Sequence, residues 1–349
     1  MCSSGTEGTA MTVRRHVRLV NKSRRVCRNI VYPALSCQLS CMKLLKATCL
    51  GLVFTLAGCH NAVNAQAPVT PQINPPVPNH QHSDNSVPDV PQTDIPLLTE
   101  IPPPILQGKW YKPPVMSTWH WQLQGQLDTD YAVDIYDIDL FDTPKTTIQS
   151  LQQRGKRVLC YFSAGTYENW RADAPQFPAS SLGKPLADWE GERWLDIRNP
   201  DIRPILLKRL DLAASKGCDG VEPDNVDAYA NPSGFPLTYQ DQVTFNRWLA
   251  NEAHNRSMAV ALKNAVGQVP DLVNYYDLAV NESCFRYKEC DRLKSFIDQG
   301  KPVLHVEYPF KKLDTEDERT IFCQQMQDRQ FSSLILNRKL NGKQRYSCL

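Results

Sequence analysis

Two adjoining stretches decide the fold class. The first is Pro200-Asp201-Ile202-Arg203-Pro204-Ile205-Leu206-Leu207, running on to Lys216 and Gly217; the second is Gly220-Val221-Glu222-Pro223-Asp224-Asn225-Val226-Asp227. The first has prolines in its opening turn, recurring apolar residues and a glycine stop, which together predict one helix. The second is a short apolar run that ends in carboxylates and predicts a strand whose C-terminal end carries polar chemistry. Outward from this unit the alternation repeats. Candidate strands are Thr118 to Leu123, Ala132 to Ile138, Arg157 to Phe162, Gly220 to Pro223, Met258 to Lys263, Leu278 to Asn281, Val303 to Glu307 and Ser333 to Leu336. A further helix is read from a threonine cap at Thr238 through Asn255. Eight strands alternating with helices over residues 106–349 predict an α/β chain of the (β/α)8 TIM-like barrel type. An open doubly wound sheet is the alternative, and no Gly-x-Gly-x-x-Gly follows the first strand to support its nucleotide-binding version.

The 349 residues carry a formal charge of +2, with 42% hydrophobic and 22% charged residues. That composition excludes wholesale disorder and collagen-like or coiled-coil architectures. The charge is unevenly spread. Residues 1–41 hold seven basic residues against Glu7 alone, whereas residues 106–349 hold 30 basic and 32 acidic residues. Met42-Lys43-Leu44-Leu45-Lys46 and the apolar run Ala47 to Leu56 predict a signal peptide over 42–58. It ends in Leu56-Ala57-Gly58-Cys59, which resembles the lipobox of bacterial lipoproteins; cleavage after Val63-Asn64-Ala65 is the alternative. Cys59 is therefore the candidate lipidation site, and an outer-membrane lipoprotein the expected product, with a soluble secreted form as the other outcome. Residues 1–41 read as an over-extended start or a basic, disordered segment. With them set aside, nothing in the chain argues for nucleic-acid binding. Residues 66–105 hold eleven of the 26 prolines and no lysine or arginine. They predict a polyproline-rich spacer, so that 59–105 forms a lipid-anchored linker.

Six cysteines lie in the body. An even count in an exported chain permits disulfides. Cys284 and Cys290 are near neighbours, and Cys323 with Cys348 would tie down the C-terminus. Cys160 and Cys218, in or beside apolar strands, read as buried thiols.

The strand ends carry many acids: Asp137 and Asp139, then Glu222, Asp224 and Asp227, then Glu282, then Glu307. Each alone is explained by a helix cap or salt bridge, but recurrence at equivalent points of a barrel predicts an acidic cleft. Paired carboxylates on facing strands suit glycoside cleavage, where one acts as acid and the other as base or nucleophile. Aromatic residues adjoin the same positions (Trp119, Trp121, Tyr136, Tyr161, Trp170, Trp189, Tyr229, Tyr308), and flat rings either stack on sugars or fill the core. A serine hydrolase lacks support because Gly-x-Ser-x-Gly is missing. His-Glu-x-x-His is also missing, and the body histidines are scattered singly, so neither a metal nor another cofactor is implied.

Several runs together resemble glycoside hydrolase family 114, the endo-α-1,4-polygalactosaminidases. They are Asp134 to Asp142, Cys160-Tyr161-Phe162-Ser163-Ala164-Gly165, Trp194-Leu195-Asp196-Ile197-Arg198, Gly220 to Asp227, Lys263-Asn264, Asn281-Glu282-Ser283-Cys284-Phe285 and Val306-Glu307-Tyr308. The resemblance spans about Trp119 to Asn337. It implies a TIM-like barrel that cuts polymers of α-1,4-linked galactosamine, with Asp224 and Glu282 as the catalytic pair. A retaining mechanism is expected, Asp224 acting as nucleophile and Glu282 as general acid/base. The substrate contacts are expected from Asp196, Asn225, Lys263 and Asn264 together with the acids and tyrosines named above and Trp119. Serine at 283 departs from the glutamine often found there. A galactosamine-containing polysaccharide is thus the expected partner and a monomer the expected state. A barrel lipoprotein that binds carbohydrate without turnover is the competing reading.

Overall fold

A computed structural model describes residues 102–349. The expected signal peptide, Cys59, residues 1–41 and the linker through residue 101 lie outside the described residues. Among the described residues no helix is long and apolar enough to cross a membrane.

The elements run β1 Trp119–Gln122, β2 Ile135–Asp139, α1 Lys145–Gln153, β3 Arg157–Ser163, β4 Thr166–Glu168, β5 Leu182–Pro185, β6 Glu192–Leu195 and α2 Arg203–Lys216. They continue with β7 Gly220–Asp224, α3 Tyr239–Asn255, β8 Ala259–Lys263, α4 Val269–Leu272, β9 Leu278–Glu282, α5 Cys284–Tyr287, α6 Lys294–Asp298, β10 Val303–Glu307, α7 Glu316–Asp328, β11 Ser332–Leu336 and β12 Arg345–Ser347. All eight strands read from the sequence are present, in the parallel order β1-β2-β3-β7-β8-β9-β10-β11, with β12 antiparallel at the end. The sheet curls so that β11 returns to β1. Trp119 Nε1 donates to Ser332 O at 2.8 Å and Arg345 donates to Trp119 O at 2.8 Å across this seam. The eightfold repeat is kept in the strands more than in the helices: residues 123–134 join β1 to β2 without a helix, and β12 follows β11.

Successive strand side chains face opposite ways, and here they feed two cores. Trp119, Trp121, Ile135, Leu159, Ala261, Leu278, Val280, Leu304, Val306 and Leu334 pack together inside the curl. Tyr136, Ile138, Val158, Phe162, Val221, Val260, Leu262 and Ala279 pack outward against the helices. The helix α2 ends at Gly217, whose φ of 85° is the left-handed stop that glycine adopts without steric cost. The helix α3 begins with a capping box in which the Asp241 N–H donates to Thr238 Oγ1 at 3.1 Å and the Thr238 N–H donates to Asp241 Oδ2 at 2.8 Å. Residues 102–105, read above as the end of the linker, are hydrogen-bonded to this body. The Ile105 N–H donates to Asn251 Oδ1 at 3.2 Å, and Tyr275 Oη donates to Pro102 O at 3.1 Å.

The sequence reading gave no hint of the small antiparallel sheet β4-β6-β5, inserted after β3. Buried ion pairs fix it to the rim. Arg171 reaches Asp139 at 2.7 Å and Glu168 at 2.9 Å, while Arg209 of α2 reaches Asp173 at 2.8 Å and donates to Ser163 O at 2.6 Å.

Two cysteine pairs are as expected, Cys284–Cys290 and Cys323–Cys348. The third reading is corrected. Cys160 and Cys218 are not thiols but a disulfide, with Cα atoms 6.1 Å apart. Cys160 faces the outer core on β3 and Cys218 enters β7 beside it, so strand pairing brings together residues 58 positions apart.

Candidate active site

The strands β7, β8 and β9 end in Asp224, Lys263 and Glu282, all on inward positions. The next residue in each case has left-handed backbone: Asn225 at φ 61°, Asn264 at 47° and Ser283 at 65°. Asparagine tolerates that region better than most residues. The chain therefore turns away sharply, leaving the last side chain of each strand over the mouth of the curl. Gly165 supports the first of these turns, because a Cβ there would stand 1.8 Å from Asn225 O.

Lys263 is the hub. Its Nζ lies 3.0 Å from Glu222 Oε1, 3.1 Å from Asp224 Oδ1 and 3.5 Å from Glu282 Oε2. Its stem is buried, and the ammonium lies 4.7 Å from the Trp121 ring centroid. Burial alone would lower its pKa, but Asp224, Glu222 and Glu282 more than reverse this, so the lysine stays charged.

Asp224 is held by three donors: Tyr161 Oη at 3.1 Å, the Asn225 N–H at 2.7 Å and Lys263. Glu282 accepts from Asn264 Nδ2 at 3.1 Å and from Tyr308 Oη, and its own N–H donates to Asn264 Oδ1 at 2.9 Å. Burial would raise the Glu282 carboxyl, but the charge of Lys263 and these hydrogen bonds outweigh it and hold its pKa below the ordinary value. Two further carboxyls lie beneath. Glu222 accepts from Trp121 Nε1 at 3.1 Å, and burial pushes it up to about 7 against the pull of Lys263. Asp137 is fully buried and among the described residues has no donor to either oxygen; burial, then Glu222 beside it, raises its pKa well above the carboxylate range. One lysine cannot balance four ionised carboxylates in such a place. Protons retained on Asp137 and Glu222 leave Glu282 as the carboxyl held in its charged form, with Asp224 beside it at the surface of the cluster.

The pair opens into a cleft of about 420 Å³ lined by Trp121, Tyr161, Asp224, Asn225, Asp227, Lys263, Asn264, Glu282 and Tyr308. Tyr229 lies in its continuation past Glu282. Burial and the charge of Asp224 push Asp227 up to about 6. Several other expected contacts lie elsewhere. Trp119 is at the seam in the interior core, and Tyr136 faces the helices, donating to Tyr131 O at 2.8 Å. Asp196 is taken up by its own loop, with Arg198 at 2.8 Å. Glu307 is buried and accepts the Phe285 and Arg286 N–H groups at 2.8 and 3.1 Å, capping α5. Asp139 reaches a side lobe of the cleft but is engaged by Arg171, and Glu222 and Asp137 lie under the floor. The sequence reading missed Glu192 on β6, which lines the cleft wall; no strand was expected there, so nothing singled it out. Cys284, Cys290 and His305 cluster within 4.8 Å, yet the disulfide occupies both sulfurs and leaves only the imidazole to bind a metal.

Two carboxyl groups around a buried, charged lysine, in an open cleft at the C-terminal ends of parallel strands, are an arrangement suited to cleaving glycosidic bonds. The sequence pattern of glycoside-hydrolase family GH114 matches residues 102–348. The chain belongs to GH114. As a GH114 member it is a glycoside hydrolase. Ega3 of Aspergillus fumigatus, whose crystal structure holds galactosamine, is 43% identical, with 69% of this GH114 chain and 99% of that one covered at a TM-score of 0.66. The glycoside hydrolase domain of PelA from Pseudomonas aeruginosa is 14% identical over 65% of this chain and 97% of that one, with a TM-score of 0.53, and shares the fold. An uncharacterised Deinococcus radiodurans protein is 25% identical over 254 residues, 62% of this chain and 79% of its own.

Proposed function

We propose that the enzyme cuts α-1,4-linked galactosamine polymers at internal bonds, using Asp224 and Glu282 in a retaining mechanism. The carrying observation is the shared lysine. Oxygens that lie 3.1 and 3.5 Å from one Nζ can be no more than 6.6 Å apart. Retention asks for carboxyls roughly 5 to 5.5 Å apart and inversion for about 6.5 to 9.5 Å; the limit on these two oxygens takes in the whole retaining spacing and only the lowest edge of the inverting one, which favours retention. The galactosamine bound to Ega3 supports the substrate, and the cleft's continuation on both sides of the pair supports internal cutting.

Asp224, fixed by Tyr161, Asn225 and Lys263, attacks the anomeric carbon. Glu282 protonates the departing oxygen and later activates water. Because Lys263, Tyr308 and Asn264 keep Glu282 ionised in the free enzyme, its proton must arrive with substrate, as the sugar excludes water and weakens those contacts. Release of reducing ends from partly deacetylated galactosaminogalactan tests the reading. Unchanged polymer at high enzyme concentration would overturn it in favour of a binding protein without turnover.

We also propose that Cys59 carries a lipid anchor to the outer membrane, supported by the Leu56-Ala57-Gly58-Cys59 sequence at the end of an apolar run. Cys59→Ser should move activity from the membrane to the soluble fraction. Membrane fractionation that survives the substitution would reject the anchor.

A further inference from the structure

The cleft continues from the Asp224–Glu282 pair into two lobes, each bordered by charges of both signs. The first lies against the inserted sheet, where Glu192 stands between the central cleft and a lobe walled by the exposed Trp170 and Trp189. Beside its acids this lobe also has Arg171, engaged by Asp139 and Glu168, and the exposed Lys339. Glu192 is 7% exposed, so it is a built-in group and not a loose surface acid. Its Oε2 accepts from Thr166 Oγ1 at 3.0 Å; among the described residues no donor reaches Oε1. The neighbouring acids are already engaged, Asp139 by Arg171 and Glu168 by Arg171 and Arg209. The other lobe, about 440 Å³, lies beyond Glu282 and is bordered by the exposed Arg286, Arg292 and Arg338. Among the described residues, Arg286 and Arg292 have no carboxylate within 4.0 Å, and Arg338 has only Asp188, at 3.9 Å. Asp227, Glu282 and Glu289 also border that lobe, equal in number to the guanidinium groups, but all three are half-buried and Glu282 is already paired with Lys263, so the exposed charges of the lobe are the arginines.

We propose, building on the galactosamine-polymer reading, that the enzyme reads the pattern of free amines along its substrate: an ammonium-bearing sugar on the Glu192 side of the cut and a neutral one, acetylated or a plain hexose, on the arginine side. An ionised carboxylate only accepts hydrogen bonds and an ammonium only donates them, so the first lobe matches a free amine, with the indole rings available to the sugar face. A guanidinium only donates, which matches hydroxyls and an acetamide carbonyl and repels an ammonium. Burial and the charge of Glu168 push the Glu192 carboxyl up to about 7, so an arriving ammonium would draw its proton away and gain a full ion pair.

Partly deacetylated galactosaminogalactan with amines placed at random, digested by the unaltered enzyme, supplies the test. The two newly made chain ends are sequenced by reductive labelling and tandem mass spectrometry. One new end should be enriched in free galactosamine at least about fivefold over the polymer average, and the other depleted by a similar factor. Glu192→Gln, nearly isosteric, should erase the enrichment and lower kcat/KM on this polymer about tenfold. Arg286→Ala with Arg292→Ala should admit amines at the depleted end. An enzyme that cuts the polymer and leaves both ends at its average composition overturns the inference while the polymer reading stands. One that cuts no galactosamine polymer overturns both.

Discussion

Lys263 Nζ lies 3.1 Å from Asp224 Oδ1, with the lysine 2% exposed. A charge so placed does two jobs: it lowers the pKa of Glu282 and offsets the desolvation of Glu222, Asp224 and Glu282, which among the described residues have no other ion-pair partner. Replacing it with a methionine of similar length removes both. Lys263→Met should cost about 3–5 kcal/mol in denaturant unfolding. In the surviving folded fraction, Glu282 loses the cation that lowers its pKa. The limb of the pH–kcat/KM profile belonging to Glu282 should then move to higher pH. An unmoved limb would mean that the lysine is structural only.

Asp224→Asn and Glu282→Gln keep shape and remove charge or proton transfer. Each should lower kcat by at least about a thousandfold with little change in melting temperature. Azide separates the roles on a substrate with an activated leaving group. In Asp224→Gly it would attack the anomeric carbon directly and give a glycosyl azide of inverted configuration. In Glu282→Ala it would instead displace Asp224 from the glycosyl-enzyme and give the retained product. The opposite pairing of products would exchange the two assignments.

How much of this was legible in the sequence depended on the range of the interaction. All eight barrel strands and the helices α2 and α3 follow from period and caps, which are local; strand-end position makes Asp224 and Glu282 candidates alongside Glu222 and Glu307, and only the family resemblance singles out that pair. Burial direction was not legible. Tyr136 and Glu307 sit on strands as expected, yet the alternation of β2 and the capping of α5 turn them away from the cleft. The inserted sheet was missed because β4, β5 and β6 are three or four residues long and too short to show a period. Glu192 was lost with it. The Cys160–Cys218 bond required knowing that β3 pairs with β7.

That bond spans 58 residues and encloses the inserted sheet and α2. Closing a loop of this length removes denatured-state entropy worth about 4 kcal/mol. Cys160→Ala with Cys218→Ala should lose most of that in equilibrium unfolding, plus a small packing loss. The double variant of Cys284 and Cys290, which closes a loop of six positions, should lose less stability. Because Ser283 adjoins that pair, the second variant should instead lose kcat through the setting of Glu282. Equal stability losses would show that loop length is not what matters here.

The retained protons predict how stability varies with pH. Burial pushes Glu222 up from 4.5 to about 7, Glu192 up to about 7 and Asp227 up to about 6, and raises Asp137 well above its ordinary value. Between pH 4.5 and 7 the unfolded chain has released these protons while the folded protein keeps them. Folding is then linked to proton uptake, so stability falls as pH rises through that window. His120, whose pKa burial lowers to about 4, opposes this trend inside the window, one group against the four raised carboxyls. Glu282 and Asp196, whose pKa values are lowered, also act in the opposite sense. Their contribution is present above the ordinary carboxylate value and is lost only below it, outside the window. Guanidinium unfolding at pH 5 and pH 7.5 should show the enzyme more stable at the lower value. Glu222→Gln, which cannot release a proton, should flatten the difference by on the order of 2–3 kcal/mol. An unchanged slope in that variant would mean that Glu222 is ionised throughout, and the proton would have to be assigned to Asp137 alone.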